Sequence, residues 1–220
     1  MLRRASASAS PKLASRSACA DGGGGNSTAL GRGGPSAAAL RLASFGEPEA
    51  AARFAMLYLQ SFELRNLDYA RLVAWLRAIL ELDPRSDYPL FSAARIYAEN
   101  PDPARSRMAL ELVYEEFLGD PNRRWQWLAH AALLAKHRLK DLELARRYAS
   151  AIDRHTTAAG VPLWAKQMEI FILEEMNELE AARIMLGGML ASGAVRDPEE
   201  ARFLKERLEE LEARIAGARR

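Results

Sequence analysis

Prolines recur at a near-constant interval from residue 48 onward, and no other feature constrains the fold as strongly. Pro48, Pro84, Pro121, Pro162 and Pro198 are separated by 36, 37, 41 and 36 residues. Proline lacks the N–H that a helix interior needs, so it belongs at a helix start or between helices. A second punctuation falls between the prolines, at Asn66-Leu67-Asp68-Tyr69-Ala70-Arg71, Asp141-Leu142-Glu143-Leu144-Ala145-Arg146 and Glu178-Leu179-Glu180-Ala181-Ala182-Arg183, with Pro101-Asp102-Pro103 in the matching place of the second unit. The spacing predicts units of about 37 residues, each made of two helices joined by short turns. Helices are expected at 48–63, 67–82, 86–99, 103–118, 122–138, 141–157, 161–176, 178–192 and 197–217. Val, Ile and Thr are scarce and nowhere alternate with polar residues, so no strand is expected. One such pair is too small to bury its own apolar face, and neighbouring units must stack.

Aligned at a displacement of 37, the spacing of Pro84 and Pro121, three units carry Leu90, Ala94 and Tyr97, then Trp127, Ala131 and Leu134, then Trp164, Met168 and Phe171. The spacing i, i+4, i+7 is one helical stripe, and a small residue between two large ones lets a partner helix approach closely. In this pattern, and in the small residues Ala70, Ala145 and Ala182 that open the second helices, residues 47–196 resemble the tetratricopeptide-repeat (TPR) family. Leu82-Asp83-Pro84 and Gly119-Asp120-Pro121 look like that family's repeat ends. The resemblance implies an all-α, TPR-like α-solenoid of about four antiparallel helix pairs. The region also resembles uncharacterised bacterial proteins of this class, in which a membrane anchor often precedes the repeats.

The segment after the repeats is expected to cap them. Asp197, Pro198 and Glu200 read as an N-cap, a first-turn proline and a capping-box acid for a helix at 197–217. Leu204, Leu208, Leu211 and Ile215 give it one narrow apolar stripe for docking, or for a short coiled-coil pair. Lys205 with Glu209 and Glu210 with Arg214 have the spacing of ion pairs along one helix face.

Charge and composition divide the chain near residue 46. Residues 1–46 hold six basic residues and one acid, with eight of the 14 glycines, eight serines and eleven alanines; residues 47–220 hold 25 basic and 28 acidic residues. The first part is expected to be a disordered Ala/Gly/Ser/Arg-rich tail, and the second the repeat domain, 47–220. The basic, Ser-rich start has the composition of a transit peptide, an unstructured extension or a misassigned start. A net charge of +2 names no polyanionic partner. No apolar run is long enough to span a membrane, so the expected place is the cytoplasm, or a bacterial membrane surface or an organelle if a targeting segment operates.

Few residues suggest chemistry. The sequence has no GxSxG, GxGxxG, Walker, HExxH or CxxC motif, and the sole cysteine, Cys19, lies in the tail. His130 and His137 are two turns apart, roughly 10 Å along a helix axis, too far to share a metal. No enzyme activity, metal or cofactor is expected. The Gly187-Gly188 pair is expected to mark a close helix approach. A basic stretch, Asn122–Arg147, carries seven positive residues with Trp125 and Trp127 interleaved; it suggests either helix ends solvated on different faces or a seat for an acidic peptide or nucleic acid.

The remaining candidate is a strip on the first helices. Trp125 and Leu128 share a face with Ala132, Ala135 and, at its edge, Lys136, about 200° around the helix from Trp127. One unit earlier the same face carries Tyr88, Phe91 and Arg95. In the resembled family this face lines the concave surface, which implies a non-catalytic peptide- or protein-binding scaffold with Tyr88, Phe91, Arg95, Trp125, Leu128 and Lys136 as partner-binding residues. Trp127 is expected in the core. The family's clamp for C-terminal carboxylates is matched only by Arg95, Lys136 and Lys166, without its asparagines. Binding of nucleic acid or another anion, or catalysis, through 122–147 is the alternative.

Overall fold

The two kinds of punctuation become helix boundaries in a computed structural model, which describes residues 37–43, 47–62 and 67–218. Ten α-helices follow one another among those residues: α1 (Ala37–Ala43), α2 (Pro48–Gln60), α3 (Tyr69–Leu82), α4 (Tyr88–Arg95), α5 (Pro103–Gly119), α6 (Pro121–His137), α7 (Leu142–His155), α8 (Leu163–Glu175), α9 (Leu179–Ala191) and α10 (Pro198–Ala218). A 3-10 turn at Tyr97–Glu99 follows α4. No strand occurs among the described residues, so the fold is all-α.

Pro48, Pro103, Pro121 and Pro198 are the first residues of their helices, where a missing N–H costs nothing. Pro162 is the N-cap of α8, and Pro84 departs furthest. It stands four residues ahead of α4, which is only eight residues long, against 17 for α6. Three second helices are capped by aspartates: Asp68 accepts from the N–H of Ala70 and Arg71, Asp102 from Ala104, and Asp141 from Leu144. Each such cap contributes about 1 kcal/mol. The Leu144 N–H also holds the Asp141 carboxyl below its ordinary value, with Arg107 acting in the same direction against the opposing effect of burial.

The turns after α6 and α8 repeat a conformation. Lys140 and Asn177, 37 positions apart in sequence, both have left-handed backbone, with φ 55° and 62°. In each turn the next N–H reaches back into the preceding helix, Asp141 to the Ala135 carbonyl at 3.0 Å and Glu178 to the Leu173 carbonyl at 2.8 Å. Asn tolerates this conformation through its short polar side chain; Lys does not. By contrast, Gly187 and Gly188 have nothing within 4 Å of where a Cβ would stand. The expected close approach at that pair is absent, and α9 turns its glycines to open space.

Every helix packs on the next in sequence, and α3 on α5 and α4 on α6 as well. Helix α1 lies within the expected tail, 1–46, and packs on α2 and α3. Ala37 is buried there, and the Arg41 guanidinium donates to the Glu81 carbonyl at 3.0 Å. The remainder of the expected tail, 1–36 and 44–46, lies outside the described residues. One apolar core runs from α1 into α8, and a second joins α8, α9 and α10.

Helix α10 closes the second core with Leu204 and Leu211, so its stripe is spent inside the chain. Its charges bind differently from the expected i, i+4 pattern. Asp197 caps the helix, accepting from the Glu199 N–H at 2.9 Å, while Glu200 accepts from Gln167 of α8 at 2.9 Å instead of completing a capping box. Arg207 and Arg214, two turns apart, both reach the buried Glu174 of α8, and Glu210 pairs with Arg207.

Relief of the left-handed lysine gives a direct check on the turn. Lys140→Gly should stabilise the chain by up to about 1 kcal/mol, a rise of about 2–4 °C in melting temperature, whereas the β-branched Lys140→Val should lower it. Thermal unfolding followed by circular dichroism decides.

Candidate functional site

The buried face of α6 is made of Arg124, Leu128, Ala129, Ala131, Ala132 and Ala135. Its two tryptophans flank that face, half-buried, and each meets a different neighbour. Trp127 lies edge-on to Phe91 of α4 at 5.8 Å, and Trp125 edge-on to Trp164 of α8 at 5.5 Å. The expected contrast between a core Trp127 and an open Trp125 therefore gives way to two interfacial rings. Leu128, expected on the open strip, is 0% exposed and belongs to the core. Trp164, expected in the packing stripe, is 51% exposed. The cause is register: Pro84 precedes α4 while Pro121 begins α6, so aligning units on their prolines misaligns the faces of these helices.

The other nominated residues separate into a cluster and a pair. Tyr88 and Phe91 stack at 5.9 Å on α4, and Arg95 follows one turn later. They are joined by Trp127 and by His130, whose Nδ1 lies 3.4 Å from the Arg95 guanidinium. A donor at Nδ1 places the proton of the neutral ring on Nε2. That atom, and the indole nitrogen of Trp127, are buried without a hydrogen-bond partner. Burial, and then the Arg95 charge, push the His130 pKa below its ordinary value of 6.5. Lys136 stands apart from this cluster, paired with Glu175 of α8 at 2.6 Å.

The cluster continues into a groove. Tyr88 hydrogen-bonds Gln60 of α2, and both line an apolar groove of about 350 Å³ between α2, the end of α3 and α4, walled by Met56, Leu57 and Ile79. Phe54, Leu57 and Tyr58 leave much of α2's outer face apolar and open to solvent. These residues lie outside the expected strip, which begins at Tyr88. Their signal was present, since Phe54, Leu57 and Tyr58 recur at i, i+3, i+4 on a helix that already has a buried face in Ala51, Ala52, Ala55, Met56 and Leu59.

The basic stretch does not assemble into one patch. Arg123 and Arg124 donate to the Pro84 carbonyl, and Arg124 also to Glu116 at 2.7 Å, so both tie the loop before α4 to the α5–α6 turn. Arg138 donates to the Glu99 carbonyl. Arg146 pairs with Glu143, and Arg147 with Glu111 while lying over the Tyr114 ring at 4.1 Å. Apart from the Arg146–Glu143 pair, which lies within α7, these charges tie one segment of the chain to another. Among the described residues no group of three or more His, Cys, Asp or Glu is placed to hold a metal ion, and no helix is long and apolar enough to cross a membrane.

Compared with known proteins, the chain matches no family model, no curated protein and no solved structure.

Two tests distinguish core from surface here. Leu128→Ala should cost about 2–5 kcal/mol, and Trp125→Ala and Trp127→Ala similar, smaller amounts of about 1–3 kcal/mol, in chemical denaturation. Stability linked to His130 should be fully present above the unfolded-state pKa and decline as pH falls through it, because the unfolded ring binds its proton more readily than the folded one. Melting temperatures measured from about pH 7.5 to 5 should fall less in His130→Gln than in the wild type.

Proposed function

We propose that this chain is a non-catalytic scaffold that holds a peptide segment of a protein partner along its first helices, and that its stacked helix pairs form a TPR-like solenoid. The observation that carries the reading is the continuity of the α2–α4 groove with Tyr88, Phe91 and Trp127. An apolar strip with aromatic rings, edged by a guanidinium, suits a segment that presents two or more large apolar side chains near an acid. Arg95 supplies the edge. The order of helix contacts supports the solenoid, since first helix α4 lies on first helix α6 and second helix α3 on second helix α5. A polyanion reading is not favoured, because the arginines of 122–147 bind carbonyls and carboxylates on several helices.

Selection of displayed random peptides against the full chain provides the test. Enriched sequences should pair large apolar residues with an acid. Leu57→Ala and Tyr88→Ala, both at exposed positions, should each weaken the selected peptides about tenfold, while Arg95→Glu removes the acidic preference, all with melting temperatures within a few degrees of wild type. Equal binding by these variants and the wild type would sink the assignment.

A further inference from the structure

A second cleft, on the side of the second helices, holds polar groups that the fold leaves without partners. It has a volume of about 580 Å³ and runs along α7 between α5 and Glu169 of α8. Its floor is one face of α7, on which Arg147, Ser150 and Arg154 follow at i, i+3 and i+7. Toward the start of α7 the charges cancel in pairs: Arg107 lies 2.7 Å from Asp141, Arg146 pairs with Glu143, and Arg147 is bound to Glu111 at 2.7 Å. Toward the end of α7 they do not. Ser150 is 6% exposed, and its hydroxyl has no hydrogen-bond partner. Glu169 is 7% exposed and lines the cleft with no hydrogen-bond or ion-pair partner among the described residues. Arg154, one turn beyond Ser150, lines the same cleft from an exposed position, also with none among the described residues.

Groups withdrawn from water without partners are rare in folded chains, and their occurrence in a cleft points to a ligand that completes them. The two opposite charges define its chemistry. A plain anion would meet Glu169, and a plain cation would meet Arg154, so neither satisfies the site. We propose that this end of the cleft binds a small zwitterion that carries both an ammonium and a carboxylate, the chemistry of a free α-amino acid. Glu169 accepts from the ammonium and Arg154 donates to the carboxylate. The site is separate from the α2–α4 groove and does not depend on the scaffold reading.

Calorimetric titration of the full chain tests this with a panel of free amino acids, their N-acetyl derivatives, which keep only the anion, and their amides, which keep only the cation. At least one free amino acid should bind, and each blocked form of it should bind about tenfold more weakly. Arg154→Gln and Glu169→Gln should each lose about the same factor, and Arg154→Glu should reverse the preference toward the amide, a change that loss of structure does not produce. Arg154 is exposed, so its variants remain informative if Glu169→Gln folds poorly. Equal binding of the N-acetyl form would make the cleft an anion site, equal binding of the amide a cation site, and no binding at about 10 mM no site at all; each overturns the proposal.

Discussion

Close packing at the alanines of α6 organises the rest of the molecule. Ala129, Ala131, Ala132 and Ala135 are buried on that helix, which packs on both α5 and α7. Small side chains permit close approach there and leave no room for a large ring. The tryptophans of α6 are consequently placed on its flanks, where they bridge to α4 on one side and α8 on the other. The same arrangement decides where aromatic groups remain accessible. On the α4 side the short helix and the loop before it leave Tyr88 partly open, and the ring series reaches the α2 groove.

Much of the helical plan was legible because proline and N-cap aspartate act through local backbone chemistry. A missing donor or an added acceptor has the same effect whatever the rest of the chain does. The face that each helix buries was less legible. Proline spacing counts residues between helix breaks, but a helix turns 100° per residue, so an error of one or two positions moves a side chain from surface to core. Leu128 and Trp164 exchange their expected places for this reason, although both lie within expected helices. Gly187 and Gly188 mislead in another way, since a glycine pair is required by close approach but does not by itself indicate it.

The basic stretch shows why charge counted along a sequence is a weak guide to ligands. Arg124 is buried and reaches a carbonyl and a carboxylate on two different segments, a use that the planar guanidinium serves and an ammonium would not. Removing one partner of such a buried arrangement is expensive, whereas formation of the pair itself contributes little net stability. The arginines therefore read as specifying how loop and helix meet. Which of these charges the fold pairs depends on contacts as close as Arg146 with Glu143 and as distant as Arg124 with the Pro84 carbonyl, and so is not read from the count along the sequence.

Among the described residues, the first and last helices cover their neighbours unequally. At the C-terminal end α10 supplies 21 residues, buries Leu204 and Leu211, and surrounds Glu174 with Arg207 and Arg214. At the other end α1 has only seven residues, enough to bury Ala37 and reach Glu81, but α2 still turns Phe54 and Leu57 to solvent. Helix α10 turns mostly charged residues, with Phe203, to solvent, whereas α2 retains an apolar face beside a groove shaped by Met56, Ile79 and Tyr88. Among the described residues the open apolar face of α2 borders a formed groove, and Phe54 and Leu57 are not required by the packing of the helix, since Arg or Glu at positions 54 and 57 would leave the buried face of α2, Ala51, Ala52, Ala55, Met56 and Leu59, undisturbed.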